Sequence, residues 1–504
     1  MVRTIRISEK DNVAIVVHQA EIGDELDFGV KAASCIPEGH KTPLCPIDKG
    51  MDIIRYGAVL GKAARDMKPG DWVSEDDIIP ASSPALDTLR PEGKGKVIKS
   101  DKLEGRTWLG YTVEGSEYAG TRNILAITTT VQCVAGVVKN AVERIRTELL
   151  PKFPNVDDVV AITHAYGCGV AINAPDAVIP IRCIRNIMRN PNFGNVYMVV
   201  GLGCEKLSVD KLLSEEENTP ENVIMLQDCS GSDEMIDSMM RMAEKKLAIL
   251  NKRTRTEQPI SKLILGVQCG GSDAFSGITS NPTIGMAGDK LAAEGATVMF
   301  SEVTEVRDAV HEIASRANDE AIVRKLVKEI KWYDDYLDKG GVDRSANPTP
   351  GNKKGGLCNI IEKSMGSIAK SGESPIAEVI GPGELPTKHG MLFAATPASD
   401  FVCAPTQIAS GITLQVFSTG RGTPYGLREI PVIKICSRDT IAQRWPDIFD
   451  INAGLIAEGK ADKHAMSDML VDLILDVASG KKQSKAQQHR IYNDLVIDNP
   501  APIT

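Results

Sequence analysis

The distribution of apolar and polar positions divides the chain into regions of different character. In residues 1–80, short apolar runs such as Asn12–Val17 are separated by turn signals at Pro37-Glu38-Gly39 and Pro69-Gly70-Asp71. Short strands punctuated by glycine and proline are typical of a compact β module. Residues 81–106 are rich in proline, glycine, serine and charge, which is the composition of a linker. The pattern predicts an all-β module over 1–80 and a linker over 81–106.

From residue 107 onward, short apolar runs alternate with longer amphipathic stretches. Predicted strands are Ile124–Thr130, Val156–Thr163, Val196–Val200, Leu263–Val267, Ala296–Phe300, Ala377–Ile380, Leu392–Ala395, Ile412–Phe417 and Val432–Ile435. Predicted helices include Val134–Leu150, Glu234–Leu250 and Thr304–Asp338. This alternation indicates an α/β fold whose mostly parallel sheets are joined by crossover helices. A polar break near residues 251–257 divides it into a middle domain, 107–252, and a C-terminal domain, 253–504.

Composition narrows the class of protein. The 504 residues carry a net charge of −9, and no basic tract stands out, so neither nucleic acid nor an anionic membrane is an expected partner. The first residues lack an apolar signal segment, and no apolar run is long enough to cross a membrane. We therefore expect a cytoplasmic protein whose 11 cysteines are reduced.

Four of these cysteines follow predicted strands directly. They are Cys133, Cys168, Cys204 and Cys269. In parallel α/β sheets the ligand crevice lies at the carboxyl ends of the strands, and thiolates at that place can hold iron as a single ion or in a cluster. The alternative is ordinary packing, because free cysteine is among the most buried residue types and no Cys-x-x-Cys spacing is present. Both interpretations stay open from the residues alone.

Two glycine-rich loops offer positive charge to an anionic ligand. Residues 350–356 contain Lys353 and Lys354, and residues 418–426 place Arg421 between two glycines after a predicted strand. A solvated surface loop and a structurally paired arginine are the competing explanations. No phosphate-binding Gly-x-x-x-x-Gly-Lys-Ser/Thr motif occurs, and the dinucleotide-like Gly201-Leu202-Gly203 is followed by Lys206 where a third glycine belongs. A nicotinamide oxidoreductase or nucleotide-binding module is therefore only a remote alternative.

Candidate acids, bases and oxygen ligands are few. His40 and His164 lie among glycines and suit general acid or base roles, although His40 could equally be a turn residue. Asp273, Glu302 and Glu305 add oxygen ligands near strand ends. Carboxylates are also favoured in the first turn of a helix, which would account equally well for Glu302 and Glu305 at these positions.

With these motifs assembled, the sequence resembles the galactarate/altronate dehydratase family over nearly its whole length. The matching motifs are Gly39–Lys41, Ile54–Gly57, Gly120–Asn123, Cys133–Gly136, Tyr166–Gly169, Gly201–Glu205, Cys269–Asp273, Pro350–Lys353 and Ser418–Gly426. Its galactarate branch is nearer, on the segments Val170–Pro175, Thr304–Asp308, Asp343–Pro348 and Thr396–Cys403. One departure is the segment Gly115–Gly120, which replaces the family's Gly-Ser-Val-Gly loop.

The resemblance implies an iron-dependent hydro-lyase of sugar-acid breakdown. It implies an N-terminal β-clip (SAF-like) domain, a linker, a middle domain used for homodimerisation and a C-terminal Rossmann-like domain with a metal site. The expected reaction converts galactarate, a small sugar diacid, to 5-dehydro-4-deoxy-D-glucarate by α-proton abstraction and metal-assisted loss of the β-hydroxyl. Altronate or another aldonate or aldarate is the alternative substrate. The expected cofactor is ferrous iron, with an iron–sulfur cluster as the alternative.

Strand-end placement and the matching motifs together give the expected site residues. Expected catalytic residues are His40, Lys41, His164, Lys353 and Arg421. Expected substrate-binding residues are Arg55, Asn352, Lys354 and Thr423. Expected metal ligands are Cys133, Cys168, Cys204, Cys269 and Asp273.

Overall fold

A computed structural model of the protein describes residues 1–501. Its N-terminal region is rich in strands, as the turn spacing predicts. The six strands are β1 (Thr4–Ile5), β2 (Val13–Val16), β3 (Lys41–Pro43), β4 (Asp52–Arg55), β5 (Ala58–Ala63) and β6 (Ile78–Pro80). They form two antiparallel three-stranded sheets, β1-β2-β3 and β4-β5-β6. We refer to residues 1–80 as the β module.

Residues 81–106 run as extended chain along the C-terminal region, with a 3-10 turn at Leu86–Thr88. Backbone hydrogen bonds attach this segment: Lys94 N–H donates to the Ser315 carbonyl at 3.0 Å, and Lys96 N–H to the Glu373 carbonyl at 2.8 Å. The next strand is β7 (Thr107–Gly110). The linker composition therefore produces an extended segment fixed to the surface of the C-terminal region.

The middle region contains a four-stranded parallel sheet with helices beside it. Its elements are β8 (Ile124–Thr129), α1 (Ala135–Arg144), β9 (Asp158–Ile162), α2 (Val178–Ile187), β10 (Tyr197–Gly201), β11 (Val223–Met225) and α3 (Ser232–Leu250). The strand order is β11-β10-β8-β9. A π-helical turn, Ile145–Leu149, continues directly from α1, so the predicted helix Val134–Leu150 is present as one helical stretch whose last turn is π-helical.

The C-terminal region begins near β12 (Thr256–Pro259), which pairs with β7 in antiparallel fashion. Its first half contains β13 (Ile264–Gly270), α4 (Ser280–Ala293), β14 (Thr297–Ser301), α5 (Val303–Val306), α6 (Val310–Ser315), α7 (Glu320–Lys339), α8 (Pro350–Lys354) and α9 (Ile360–Ile368). Its second half contains β15 (Ile376–Ile380), β16 (Gly390–Ala394), α10 (Asp400–Ala409), β17 (Leu414–Thr419), β18 (Val432–Cys436), α11 (Asp439–Arg444), β19 (Ile451–Asn452), α12 (Gly454–Ala457), α13 (Lys463–Ala478) and α14 (Lys485–Gln488).

Seven of these strands form one parallel sheet in the order β15-β16-β14-β13-β17-β18-β19. The mixed α/β class and the large parallel sheet agree with the alternating pattern of the sequence. One predicted element is wrong: the amphipathic stretch Thr304–Asp338 forms two short helices, α5 and α6, and the 20-residue α7 rather than one helix. The chain turns between α6 and α7 because Ala317 forms a β-bridge with Ile376, and Asp319 then caps α7.

The middle and C-terminal regions share a hydrophobic core. A single buried cluster contains Ile124 and Val199 of the middle sheet together with Ile264 and Ile408 of the C-terminal region. No helix among residues 1–501 is long and apolar enough to span a membrane.

A buried ion cluster joins the β module to α9. Glu362 Oε1 lies 2.9 Å from Lys41 Nζ and also contacts Arg55 Nη1, and its side chain is fully buried. Lys41 Nζ additionally donates to the Gly356 carbonyl at 2.6 Å. These contacts place the module next to the loops at the carboxyl edge of the seven-stranded sheet.

Candidate active site

A compact group of acidic and thiol side chains lies at the carboxyl edge of the seven-stranded sheet. Cys269 is the last residue but one of β13, Glu302 follows β14, and Glu305 lies in α5. One ligand atom from each lies within 4.8 Å of the other two, and all three residues are buried. Among residues 1–501 this is the only trio of histidine, cysteine, aspartate or glutamate that meets this distance. We call Cys269, Glu302 and Glu305 the acidic trio.

Two lysines neutralise the acidic trio. Lys370 Nζ lies 3.1 Å from Cys269 Sγ and 3.3 Å from Glu302 Oε2. Lys363 Nζ lies 2.8 Å from Glu305 Oε1. Ser367 donates its hydroxyl to Glu305 Oε2 at 2.8 Å. Because each buried charge has a partner, the cluster avoids the large cost of an isolated charge in the protein interior.

The pKa values of the trio are driven apart by this environment. Burial, together with the nearby charge of Glu305, raises the pKa of Glu302 well above its usual value. Burial acts in the same direction on Glu305, but Lys363 and Lys370 outweigh it and lower its pKa to about 2. Burial also raises the pKa of Cys269 to about 11, against the opposing charge of Lys370. The environment therefore makes Glu302 the carboxyl group of the trio that holds a proton more tightly and Glu305 the one that releases it more readily.

The backbone at Glu302 is strained. Its φ is +78°, in the left-handed region that residues other than glycine rarely adopt. Its N–H is bonded to Thr396 Oγ1 at 3.1 Å, which ties it to the loop after β16. This turn directs the carboxylate toward the trio instead of into solvent. Strain of this kind is concentrated at functional sites.

A cavity of about 990 Å³ opens between the β module and the C-terminal region. Its lining includes Pro37, Glu38, His40, Trp72, Glu75, Ser345, Ala346, Pro348, Pro350, Lys353, Lys354, Arg421 and Arg438. The four lysine and arginine side chains outnumber the two carboxylates. The cavity therefore has an excess of positive charge and suits a small anionic ligand.

Arg438 is held in place before any ligand binds. Its guanidinium contacts the buried Asp273 carboxylate, and its Nη2 donates to the Gly355 carbonyl at 3.0 Å. Its guanidinium carbon also lies 4.9 Å from the centre of the Phe275 ring. Asp273 further accepts hydrogen bonds from Ser276 and Ser437. A guanidinium fixed on several sides is preorganised to bind a carboxylate.

His40 is the imidazole of the cavity. Its Nδ1 accepts from Trp72 Nε1–H at 3.1 Å, which places the proton of a neutral ring on Nε2. Nε2 in turn lies 3.4 Å from the Lys354 carbonyl. Burial, followed by the charge of Lys41, lowers the pKa of His40, so the ring is neutral at physiological pH. To take a proton from a substrate, Nδ1 has to release the Trp72 indole.

The cavity and the acidic trio are connected through one amide. Asn352 is buried in α8 next to Lys353, and its Nδ2 donates to the Ser272 carbonyl at 2.8 Å. Its Oδ1 lies 3.5 Å from Lys363 Nζ, the lysine paired with Glu305. The two features therefore belong to one region at the sheet edge.

The expected catalytic and substrate-binding residues of the β module and the C-terminal region lie in the cavity, beside it, or in the buried ion cluster. His40, Lys353, Lys354 and Arg421 line the cavity. Thr423 lies beside it, with its hydroxyl 3.1 Å from Thr419 Oγ1. Lys41 and Arg55 instead form the buried ion cluster with Glu362.

The expected metal ligands are likewise divided. Cys269 belongs to the acidic trio, whereas Asp273 is engaged by Arg438. Cys133, Cys168 and Cys204 are exposed on the middle region. His164 is buried there, with Nε2 2.7 Å from the Thr129 carbonyl, and burial lowers its pKa.

Sequence reasoning missed four polar residues of this region, Lys363, Lys370, Asp400 and Arg438. Lys363 and Lys370 are seven positions apart, a spacing that places both on one face of a helix. That spacing was the available signal for them. Burial, followed by the charge of Glu305, raises the pKa of Asp400 to about 6. For Asp400 and Arg438 no local pattern pointed to the site.

The parallel sheet, the positively charged cavity and the buried acid–lysine cluster are features of an α/β enzyme. Family models extend over most of the chain. They match residues 2–80 as the altronate/galactarate dehydratase SAF domain, 110–251 as the D-galactarate dehydratase/altronate hydrolase second domain, and 260–502 as the D-galactarate/altronate dehydratase C-terminal domain. The chain belongs to the galactarate/altronate dehydratase family of hydro-lyases.

Curated relatives agree with this assignment. Galactarate dehydratase (L-threo-forming) of Escherichia coli strain K12 is 51% identical, over 99% of this chain and 97% of the relative. Altronate dehydratase of Bacillus subtilis strain 168 is 31% identical, over 95% of each chain. Altronate dehydratase of Escherichia coli strain K12 is 29% identical, again over 95% of each.

Proposed function

We propose that this protein removes water from galactarate to give 5-dehydro-4-deoxy-D-glucarate, in cytoplasmic sugar-acid breakdown. The observation that carries the proposal is the 51% identity, over nearly the whole chain, to the galactarate dehydratase of Escherichia coli. Identity to the altronate dehydratases is 20 percentage points lower or more.

The charge of the cavity supports a dicarboxylate substrate. Galactarate carries a carboxylate at each end, and the cavity offers Lys353, Lys354, Arg421 and Arg438. We propose that Arg438, already fixed by Asp273, binds one carboxylate and that Arg421 and Lys353 bind the other. Arginine can bind a carboxylate through two parallel hydrogen bonds, which also fixes the orientation of the substrate.

Dehydration requires removal of a proton α to one carboxylate and departure of the β-hydroxyl, followed by tautomerisation of the enol. We propose His40 as the base, because its lowered pKa leaves it neutral and it lines the cavity. Release of the Trp72 indole from Nδ1 would accompany substrate binding. Lys41 and His164 are outside the cavity lining, so this proposal gives neither of them direct contact with substrate.

The acidic trio is our proposed site for ferrous iron. One thiolate and two carboxylates suit a divalent cation in kind, and their ligand atoms are close enough to share one ion. Lys370 Nζ contacts the same atoms and would have to move aside, and Cys269 would have to lose its proton on binding. When bound, iron would supply a Lewis acid that stabilises the enediolate.

Two finer structural proposals accompany this function. We propose that the β module is a β-clip and that the C-terminal region with its seven-stranded parallel sheet is a Rossmann-like domain. We also propose a homodimer, which light scattering coupled to size-exclusion chromatography would detect as twice the mass of one chain.

The test is a product assay on a panel of aldarates and aldonates, performed anaerobically with and without ferrous iron. The expected result is preferential conversion of galactarate, greater with iron, and no requirement for a nicotinamide cofactor. Preferential turnover of altronate would establish the alternative substrate. A change in absorbance that depended on NAD would instead indicate an oxidoreductase, and the absence of turnover on every compound would reject the enzyme proposal.

A further inference from the structure

Three exposed cysteines lie at one edge of the middle sheet and have no part in the proposed reaction. Cys133 follows β8, Cys168 follows β9, and Cys204 follows β10. These strands are neighbours in the sheet and run parallel, so all three residues are at the same carboxyl edge. We call Cys133, Cys168 and Cys204 the thiol edge.

The three loops of the thiol edge are in direct contact. A Cβ atom on Gly167 would lie only 2.1 Å from the Thr130 carbonyl oxygen, so the second loop passes tightly against the first. The Gly167 carbonyl accepts from Lys206 N–H at 3.0 Å, which joins the second loop to the third. Thr130 also donates its hydroxyl to Glu205 Oε1, which joins the first loop to the third. These contacts involve residues within three positions of each cysteine.

Glycines in these loops allow a ligand to come close to the backbone. Gly167, Gly169 and Gly203 all have positive φ, at 109°, 62° and 128°. Glycine adopts this conformation at low cost, whereas residues with a side chain rarely do. Such loops direct backbone N–H groups toward a bound anion, as in many iron–sulfur sites.

Exposure separates these cysteines from most of the others. Five cysteines of the chain are buried and one is half-buried, as expected of packing residues. The exposed set is Cys35 and Cys45 in the β module plus the thiol edge. Three exposed thiols on adjoining loops are accessible to a ligand that arrives from solvent.

The thiol edge does not belong to the compact trio that could share one ion. Within residues 1–501, no three metal-binding atoms that include a thiol of this edge lie within 4.8 Å of one another. An iron–sulfur cluster spans a greater distance, because each cysteine binds a different iron. We propose that the thiol edge binds a four-iron, four-sulfide cluster through three thiolates, leaving one iron without a protein ligand. Binding of this cluster does not depend on the substrate proposed above.

Cluster transfer tests the proposal with the full-length chain. The anaerobic, reduced protein is incubated with a synthetic four-iron, four-sulfide cluster ligated by small thiolates, and then desalted. At each of three irons an iron–sulfur bond to cysteine replaces one to a small thiolate, which leaves with the cysteine proton, so no electron is gained or lost. We expect visible absorbance and about four irons and four sulfides per chain.

Serine variants identify the ligands. C133S, C168S and C204S should each lose most of the bound cluster. C229S is the matched control, because Cys229 follows β11 at the same edge but its thiol faces the Met225 carbonyl at 3.9 Å. C269S should also retain the cluster, since Cys269 belongs to the acidic trio. Circular dichroism of each variant checks that it is folded.

A second readout does not depend on cluster stability in the variants. Mass spectrometry after maleimide labelling should show Cys133, Cys168 and Cys204 protected in the loaded protein and modified in the cluster-free protein, with Cys45 modified in both. Failure of the wild-type chain to take up a cluster would overturn the proposal. So would iron bound without sulfide, retention of the cluster in all three serine variants, or its loss in C229S.

Discussion

The guanidinium of Arg438 shows how much of the candidate site depends on single side chains. It is buried against Asp273 and Phe275, yet it lines the cavity. Asp273 therefore acts on a ligand through the arginine that it positions. Arg421 differs: a 2.9 Å hydrogen bond to the Gly271 carbonyl fixes its backbone N–H, and its half-buried side chain has no hydrogen-bond partner among the described residues.

Replacement of Arg421 by methionine should weaken binding of the dicarboxylate. A hydrogen bond to a charged group contributes about 1.5–3 kcal/mol, so KM for galactarate should rise roughly 10- to 100-fold, with a smaller change in kcat. Steady-state kinetics measures both constants. K10M, an exposed substitution in the β module, is the control. An unchanged KM would remove Arg421 from the binding site.

Glu429 should make the stability of the protein depend on pH. It is buried, and one carboxylate oxygen has no hydrogen-bond partner among the described residues. Burial raises its pKa from 4.5 to about 7. Between these values the folded protein retains a proton that the unfolded chain has released, so this contribution to stability is complete at acid pH and is lost as the pH rises to 7 and above.

The isosteric variant E429Q should remove this dependence. The thermal midpoint of E429Q should increase relative to that of the wild type as the pH rises from about 4.5 to about 7. Over this whole pH range, the free energy of unfolding of E429Q should rise by about 3 kcal/mol relative to that of the wild type. Thermal unfolding followed across this pH range by circular dichroism provides the measurement. Parallel wild-type and variant profiles would contradict the raised pKa.

Among the elements, α4 packs closely against the turn that carries Lys370. A Cβ atom on Gly285 would lie 2.2 Å from the Ala369 carbonyl oxygen, in the turn that carries Lys370. A glycine inside a helix is normally unfavourable compared with alanine. Here close packing of the helix against the turn requires it.

The variant G285A should therefore be destabilised by about 1–3 kcal/mol, because the turn has to shift. G136A in α1 is the matched control, since a Cβ atom there meets nothing within 4 Å. It should gain about 0.5–1 kcal/mol, as expected of alanine in a helix. Denaturant unfolding compares the two variants. Equal effects at both positions would show that α4 is not in close contact with the turn.

Local patterns predicted most elements near the observed positions. The strands β8, β13 and β18 lie within the predicted apolar runs or extend them by a few residues. The pattern failed for β11 and β19, which have only three and two residues. It also failed for the stretch divided into α5, α6 and α7, because the break between α6 and α7 depends on a bridge to β15, which is distant in sequence.

In the whole molecule, the cavity exists only because the β module packs against the C-terminal region. Their buried ion cluster has Glu362 as its single anion, opposite Lys41 and Arg55. Removal of one partner from a buried cluster leaves charge uncompensated, which costs far more than an exposed pair contributes.

E362Q should accordingly loosen the module and expose the linker. The expected cost is about 3–5 kcal/mol, with faster proteolytic cleavage within residues 81–106. D52N breaks the exposed pair between Asp52 and Lys62 in the same module and should change stability by less than about 1 kcal/mol. Limited proteolysis and thermal unfolding report the two effects. Resistance of E362Q to cleavage would show that other contacts hold the module.

The sequence by itself determined the α/β class, the strand-rich N-terminal region and the family. These follow from hydrophobic periodicity, turn residues and motif order, which are properties of neighbouring residues. It also placed four cysteines after strands. Only the tertiary structure decided that Cys269 joins Glu302, Glu305 and two lysines, while the other three lie at a different sheet edge. The physical reason is strand order: β13 lies between β14 and β17, and such long-range pairing is fixed by packing of the whole sheet rather than by any local pattern.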